Sequence, residues 1–314
     1  MQGKIDSITK EVKKIIHGKD DIIKMTLAAI LAGGHVLLED IPGVGKTTLA
    51  MSFAKALSMD YKRMQFTPDV LPSDLVGFNM YDKNLGEFRF QPGSVYTNLF
   101  LADEINRTSP KTQSALLEVM EEGKATVEGV TRELPSPFFV IATQNPFGSS
   151  GTQKLPESQL DRFIICESIG YPDSYNAAII LKGNATKSYD DVETVVSKDE
   201  LVAMQKAVND MHVDECLYDY IVEITEGTRR RDVFDLGLSP RGSIALLKMS
   251  KAYAYIQGRD YITPDDIKAV YLPVSMHRVK LSSKSKASGL SLEDALCNVI
   301  AGINIPKTSF SKSL

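Results

Sequence analysis

"LLEDIPGVGKTTLA", Leu37 to Ala50, decides how the rest of the chain is read. It has the form of a phosphate-binding loop, G-x-x-x-x-G-K-[ST], except that Asp40 stands where the first glycine belongs. An apolar run, "HVLLE" (35–39), leads into the loop, and a helical pattern, "KTTLAMSFAKAL" (46–57), leads out of it. In that setting the backbone N–H groups of Gly43, Val44, Gly45 and Lys46 face an anion at a helix N-terminus, where the helix dipole adds to the attraction. Lys46 is placed to reach the β- and γ-phosphates, and the Thr47 hydroxyl to ligate Mg²⁺. Pro42 and Thr48 complete the candidate nucleotide cradle. Position 40 is the turn out of the strand, farther from the anion, and Pro42-Gly43 can supply the bend instead. Asp40 therefore reads as tolerated.

A hydrolytic site also needs an acid to hold the metal and a group to orient water. "NLFLADEINR" offers both, with Asp103 and Glu104 at the C-terminal end of an apolar strand, where α/β sheets place their ligands. Asp103 is the candidate for the metal, through water, and Glu104 for polarising the attacking water. A kinase acting on a small molecule has no need of that glutamate, so the pair favours hydrolysis over phosphotransfer. The next apolar strand, "FFVIAT", ends in "QNP". Asn145 there is either a group that fixes the water or γ-phosphate, or an Asn-Pro turn initiator. Arg162 in "LPESQLDRF" is a candidate finger acting on a neighbouring subunit. Arg241 in "LGLSPRG" opens a helix from which it would reach back to the phosphates on domain closure.

Apolar runs at 35–39, 61–66, 98–103, 138–143 and 163–167 alternate with helical patterns such as 46–57 and 111–122, the signature of a doubly wound α/β domain over residues 1–171. Beyond "GYPD" (170–173) strand signals stop. Helices are expected at about 174–184, 198–209, 214–228, 240–257, 264–270 and 291–302, so residues 172–314 read as a smaller all-α domain, with 282–289 as a loop or mobile segment. Two insertions interrupt the first domain. Residues 67–97 are too long for a plain loop and read as a short helix, "PSDLVGF", and a hairpin turning at Asn84-Leu85-Gly86. Residues 123–137 read as a second hairpin, turning near Glu128-Gly129.

Composition narrows the class. The chain has 314 residues, 43% of them apolar, and a net charge of −4, which speaks against binding nucleic acid through bulk positive charge. The one tight basic run, "TRRRD" (228–232), is explained as a solvated helix end. Its three cysteines, Cys166, Cys216 and Cys297, have no C-x-x-C spacing, which points away from a zinc site and towards a reducing compartment. With no apolar leader and no run of membrane-spanning length, a soluble cytoplasmic protein is expected.

Taken in order, "IPGVGKTT", "LFLADEINR", "IATQNP", "LPESQLDRF" and "LSPRG" resemble the MoxR family of AAA+ ATPases. The resemblance spans nearly all of residues 1–280, and "LADEINRTSPKTQSALLEVMEE" is its most specific part. It implies an AAA+ αβα sandwich on a parallel five-stranded sheet, followed by an α-helical lid. It matches Lys46 and Thr47 to Walker A, Asp103 and Glu104 to Walker B, Asn145 to sensor 1, Arg162 to the arginine finger and Arg241 to sensor 2. Gly18, in "IIHGKDD" (15–21), falls where relatives line the adenine, with His17 where glycine or valine is more usual. The family tolerates residues other than glycine at the position of Asp40.

By the same likeness the protein uses ATP and Mg²⁺, forms a homo-oligomeric ring of hexameric type, and remodels protein clients, among them proteins with von Willebrand factor A domains. The insertions match the helix-2 insert and the hairpin before sensor 1. Phe78, Tyr81, Phe88 and Phe90 are then either a contact surface or the insert's own packing. Two other readings remain: a nucleotide-dependent assembly switch with little turnover, and a GTP-using relative, although no N-K-x-D base-reading motif is present.

Overall fold

A strand buried on both faces must be apolar at every position, whereas a strand at a sheet edge can carry charge. The chain obeys that rule closely. The structure, a computed structural model, describes residues 2–41, 43–145, 155–183 and 189–307. In chain order its first part runs α1 (Gln2–Lys13), α2 (Asp20–Leu31), β1 (Val36–Glu39), α3 (Lys46–Ala56), β2 (Tyr61–Gln65), α4 (Pro72–Val76), β3 (Phe78–Asp82), β4 (Glu87–Gln91) and β5 (Leu99–Asp103). It continues with α5 (Pro110–Glu122), β6 (Lys124–Val127), β7 (Val130–Glu133), β8 (Phe139–Gln144), α6 (Glu157–Leu160) and β9 (Ile165–Glu167).

Five strands form one parallel sheet in the order β2-β5-β8-β1-β9. Alternate side chains go to opposite faces. Val36, Leu38, Leu99, Leu101 and Ile141 join a core with α1, α2 and α3, while Leu37, Phe100, Ala102, Val140 and Ala142 join a second core with α4 and α5. Every residue of β5 and β8 is buried; β2, at the edge, exposes Lys62 and Arg63. All five expected strands are present, with ends shifted by one or two residues. The expected hairpins are also present. β3 and β4 pair Tyr81 with Phe88, and β6 and β7 pair Val127 with Val130. Glu128 and Gly129 both have positive φ, as a two-residue hairpin turn demands.

Helices dominate the second part: α7 (Ser174–Gly183), α8 (Lys198–Asn209), α9 (Glu215–Gly227), β10 (Phe234–Leu236), α10 (Pro240–Ile256), α11 (Pro264–Ser275), β11 (Lys280–Leu281), α12 (Ser283–Ala287) and α13 (Leu292–Ala301). Three features depart from expectation. A short antiparallel pair, β10 with β11, holds Phe234 opposite Leu281, too few residues to show a period of two. Residues 282–289 are not a loop: Ser282 caps the single-turn helix α12, its hydroxyl accepting the Ser285 N–H at 3.2 Å. And α11, expected to end at about residue 270, runs on to Ser275 through Pro273.

His35 pins the sheet to α5. The Val140 N–H donates to its Nδ1 at 3.0 Å, so Nε2 carries the proton and donates to the Met120 carbonyl at 2.8 Å. Burial pushes its pKa from 6.5 down to about 4. In that window the unfolded chain binds a proton that the folded chain refuses, so stability falls as pH drops from 6.5 towards 4. His35→Gln should be less stable at neutral pH, by about 1–3 kcal/mol, and should flatten this part of the pH dependence. Melting temperatures of the two proteins across the window test it; parallel curves would exonerate His35.

Candidate nucleotide site

The sheet delivers its polar groups at the C-terminal ends of three adjacent strands. β1 ends at the phosphate loop, β5 at Asp103 and Glu104, and β8, which lies between them, at Asn145. Gly43 and Gly45 have φ of 86° and 98°, values open to glycine without strain, and Gly45 caps α3 in the left-handed conformation. Pro42 lies outside the described residues. Gly43, Val44, Gly45 and Thr48 line a cavity of about 370 Å³. Its opposite walls are Ile15, Ile16 and His17 from the α1–α2 connection and Ile169, Gly170 and Pro172 from the segment after β9. Gly18 has φ +67° and lies so close to Asn176 that a Cβ there would sit 2.1 Å from the amide nitrogen. The missing Cβ leaves room for the Asn176 side chain of α7, and His17, next to Gly18, lines the cavity.

Lys46 Nζ donates to the carbonyls of Asp40, at 2.8 Å, and Ile41, at 3.3 Å. Burial lowers its pKa, and the charges of Asp40, Asp103 and Glu104 oppose that fall, so the loop lysine and the acid pair lie within electrostatic reach of one another. Thr47 follows as the second residue of α3. Asp103 is buried and doubly engaged. Thr143 Oγ1 donates to Oδ1 at 2.6 Å, and Arg63 Nη2 to Oδ2 at 2.6 Å. Glu104 holds a left-handed backbone, φ 57°, and its N–H donates to Thr143 Oγ1 at 2.9 Å. That twist turns the chain sharply after the strand and sets Glu104 apart from Asp103 in direction. The Glu104 carboxylate accepts from Arg107 Nη1 at 2.6 Å. Asn145 is anchored through its carbonyl, which accepts from Asn106 Nδ2 at 3.4 Å.

The two expected arginines sit together elsewhere. Arg162 Nη1 reaches Glu121 Oε2 at 2.8 Å and the Leu117 carbonyl at 2.7 Å, and Arg241 Nη2 bonds the other oxygen of Glu121. Neither arginine is among the residues that line the loop cavity. The segments that carry them are also joined: Asp161 accepts from Ser239 Oγ at 2.8 Å and from Arg278 Nε at 2.8 Å. Arg278 is buried and donates further to the carbonyls of Asp161, Phe163 and Ile164.

Comparison with known proteins agrees with this fold. The family model "ATPase family associated with various cellular activities (AAA)" matches residues 35–165, and the AAA lid domain model matches residues 226–296. The uncharacterized protein YeaC of Bacillus subtilis is 46% identical over 95% of this chain and 93% of its own. The chaperone MoxR1 of Mycobacterium tuberculosis is 36% identical over 95% of this chain and 81% of its own. The chain belongs to the MoxR family of AAA+ ATPases. A crystal structure from Cytophaga hutchinsonii, of a protein proposed to be an ATPase, superposes with a TM-score of 0.90 at 36% identity, covering 98% of this chain and 96% of that one. No helix among the described residues of this MoxR-family chain is long and apolar enough to cross a membrane.

Sequence reading missed Thr143, Arg63 and Glu121, and it gave Asp40 no task. Thr143 alone had a local signal, as the polar end of an apolar strand one residue before "QNP". Its hydroxyl serves Asp103 and the Glu104 backbone at once. Thr143→Val should therefore strand two buried partners and lower unfolding free energy by about 1–3 kcal/mol. Denaturant titration checks this; an unmoved midpoint would mean that water replaces both bonds.

Proposed function

We propose that this protein hydrolyses ATP with Mg²⁺ in a homo-oligomeric ring and uses the cycle to remodel protein clients. The observation that carries the reading is the order β5-β8-β1, which sets the ends that bear Asp103 and Glu104, Asn145 and the phosphate loop side by side, with the acid pair within electrostatic reach of Lys46. The backbone N–H groups of Gly43 to Lys46 bind phosphate, and Lys46 leaves its two carbonyl partners for the anion. A hydroxyl and a carboxylate suit Mg²⁺, a hard ion that keeps most of its waters, so Thr47 and Asp103 would hold it. Bound there, the ion would offset phosphate charge. Glu104 orients and deprotonates the attacking water, and Asn145 positions that water or the γ-phosphate.

Arg162 and Arg241 share Glu121, so they present one surface. This supports a reading in which both act on the nucleotide of a neighbouring subunit, rather than Arg241 reaching back to its own phosphates. Protein clients are favoured by the chaperone name of the mycobacterial relative, and von Willebrand factor A domain proteins are the class that family likeness suggests. The insert offers a surface for them. Phe88 is 72% exposed, and Phe78 and Tyr81 are each about half exposed. Phe90 instead packs against Tyr96 and under Arg132.

ATP turnover per protomer, followed against protein concentration with Mg²⁺, tests the reading. Turnover should rise with concentration as shared sites form. Lys46→Ala should abolish nucleotide binding, and Glu104→Gln should keep binding yet lower turnover by about 100-fold or more; unchanged turnover in Glu104→Gln would remove that residue from water activation. Arg162→Ala should bind ATP without hydrolysing it. Mixing it with Lys46→Ala should restore part of the turnover, because each protein supplies what the other lacks. No recovery in verified mixed rings would count against action between subunits.

A further inference from the structure

Asp40 is the residue that breaks the loop motif, and its surroundings give it work. It is 5% exposed, at the exit of β1. Its carboxylate turns away from the loop and accepts from Ser168 Oγ at 2.9 Å, from the Gly170 N–H at 3.1 Å and from the Ile169 N–H. Its own N–H donates to the Gln144 carbonyl at 3.2 Å, and its carbonyl accepts from Lys46. Ile169 and Gly170 line the same cavity as Gly43, Val44 and Gly45, on a different wall. That wall is tied onward, since Lys19 Nζ donates to the Tyr171 carbonyl at 2.8 Å and so joins it to the α1–α2 connection that supplies Ile15 and His17.

We propose that Asp40 is a positioning residue that fixes the distance between the phosphate cradle and the wall against which the nucleoside rests. The inference rests on the nucleotide reading above. A glycine at position 40 leaves two backbone N–H groups and one hydroxyl without this acceptor and removes the side-chain tie between residues 168–170 and the exit of β1. The phosphate cradle itself is made by Gly43 to Lys46 and survives. The loss should fall on the nucleoside part of the ligand and spare the phosphate part. A binding step weakened uniformly in ground and transition states appears in KM and leaves kcat alone.

The position allows an unusual test, in which restoring the consensus glycine impairs the site. Asp40→Gly and Asp40→Asn are compared with the natural chain by calorimetric titration with ADP and, separately, with inorganic tripolyphosphate, alongside steady-state ATP hydrolysis. The Asn variant keeps the size of the side chain and guards against a glycine variant that does not fold. Expected is a rise of about tenfold in Kd for ADP and in KM for ATP, with tripolyphosphate affinity and kcat within about twofold. Ser168→Ala, which removes one of the three donors, should fall between. Equal weakening of ADP and tripolyphosphate would overturn the proposal in favour of general damage to the loop. Unchanged ADP affinity in both Asp40 variants would overturn it in favour of a merely tolerated residue. Failure of the natural chain to bind either ligand would overturn the nucleotide reading itself, and this inference with it.

Discussion

Three adjacent strands, β5, β8 and β1, have no free face. Each residue along them must satisfy one apolar layer or the other, so charge can enter only where a strand ends. The constraint does more than build a core. It forces the phosphate loop, the acid pair and Asn145 to the C-terminal ends of the strands, and the order of the strands places Asn145 between the other two. Thr143 marks the point where the apolar regime stops. It is the last residue of β8 but one, still buried, and it spends its hydroxyl on the first polar groups beyond.

The acid pair shows how much of a site is set by what touches its members. Asp103 has both oxygens occupied, one by a neighbour on β8 and one by Arg63 on the edge strand β2. Arg63 is half exposed and can swing away; Thr143 is buried and cannot. One oxygen is thus fixed and the other exchangeable, which suits a ligand that comes and goes. Glu104 is separated from this arrangement by a left-handed backbone that a non-glycine residue adopts only at a cost of about 1–2 kcal/mol. The Thr143 hydroxyl holds the Glu104 N–H in that conformation, and the Arg107 N–H donates to the Glu104 carbonyl at 3.0 Å.

Much of this was legible in the sequence, because it rests on local pattern. Apolar runs, several of them nearly continuous, identify the strands, and glycines followed by Lys-Thr identify the loop. The two-residue turn at Glu128-Gly129 placed a hairpin correctly. What escaped has a common cause: it depends on residues distant in the chain. Nothing near Asp40 announces Ser168, and nothing near Glu121 announces that Arg162 and Arg241 will meet there. Nothing near Arg63 announces Asp103 either; the register of β2 on β5 puts it two residues from Gln65, the partner of Asp103. The helix at 283–287 escaped for the opposite reason. It is a single turn held by one serine hydroxyl, and a polar composition carries no period by which to see it.

Arg278 links the halves of the molecule in a way that changes what kind of machine it can be. It belongs to the helical domain, yet its guanidinium grips the backbone on either side of Arg162, while Ser239 holds Asp161 from the start of α10. The loop bearing Arg162 has no independent play. Whatever turns the helical domain turns that loop with it, like a key fixed to its bow. A chain built this way carries any displacement of its helical domain to the segment that bears Arg162.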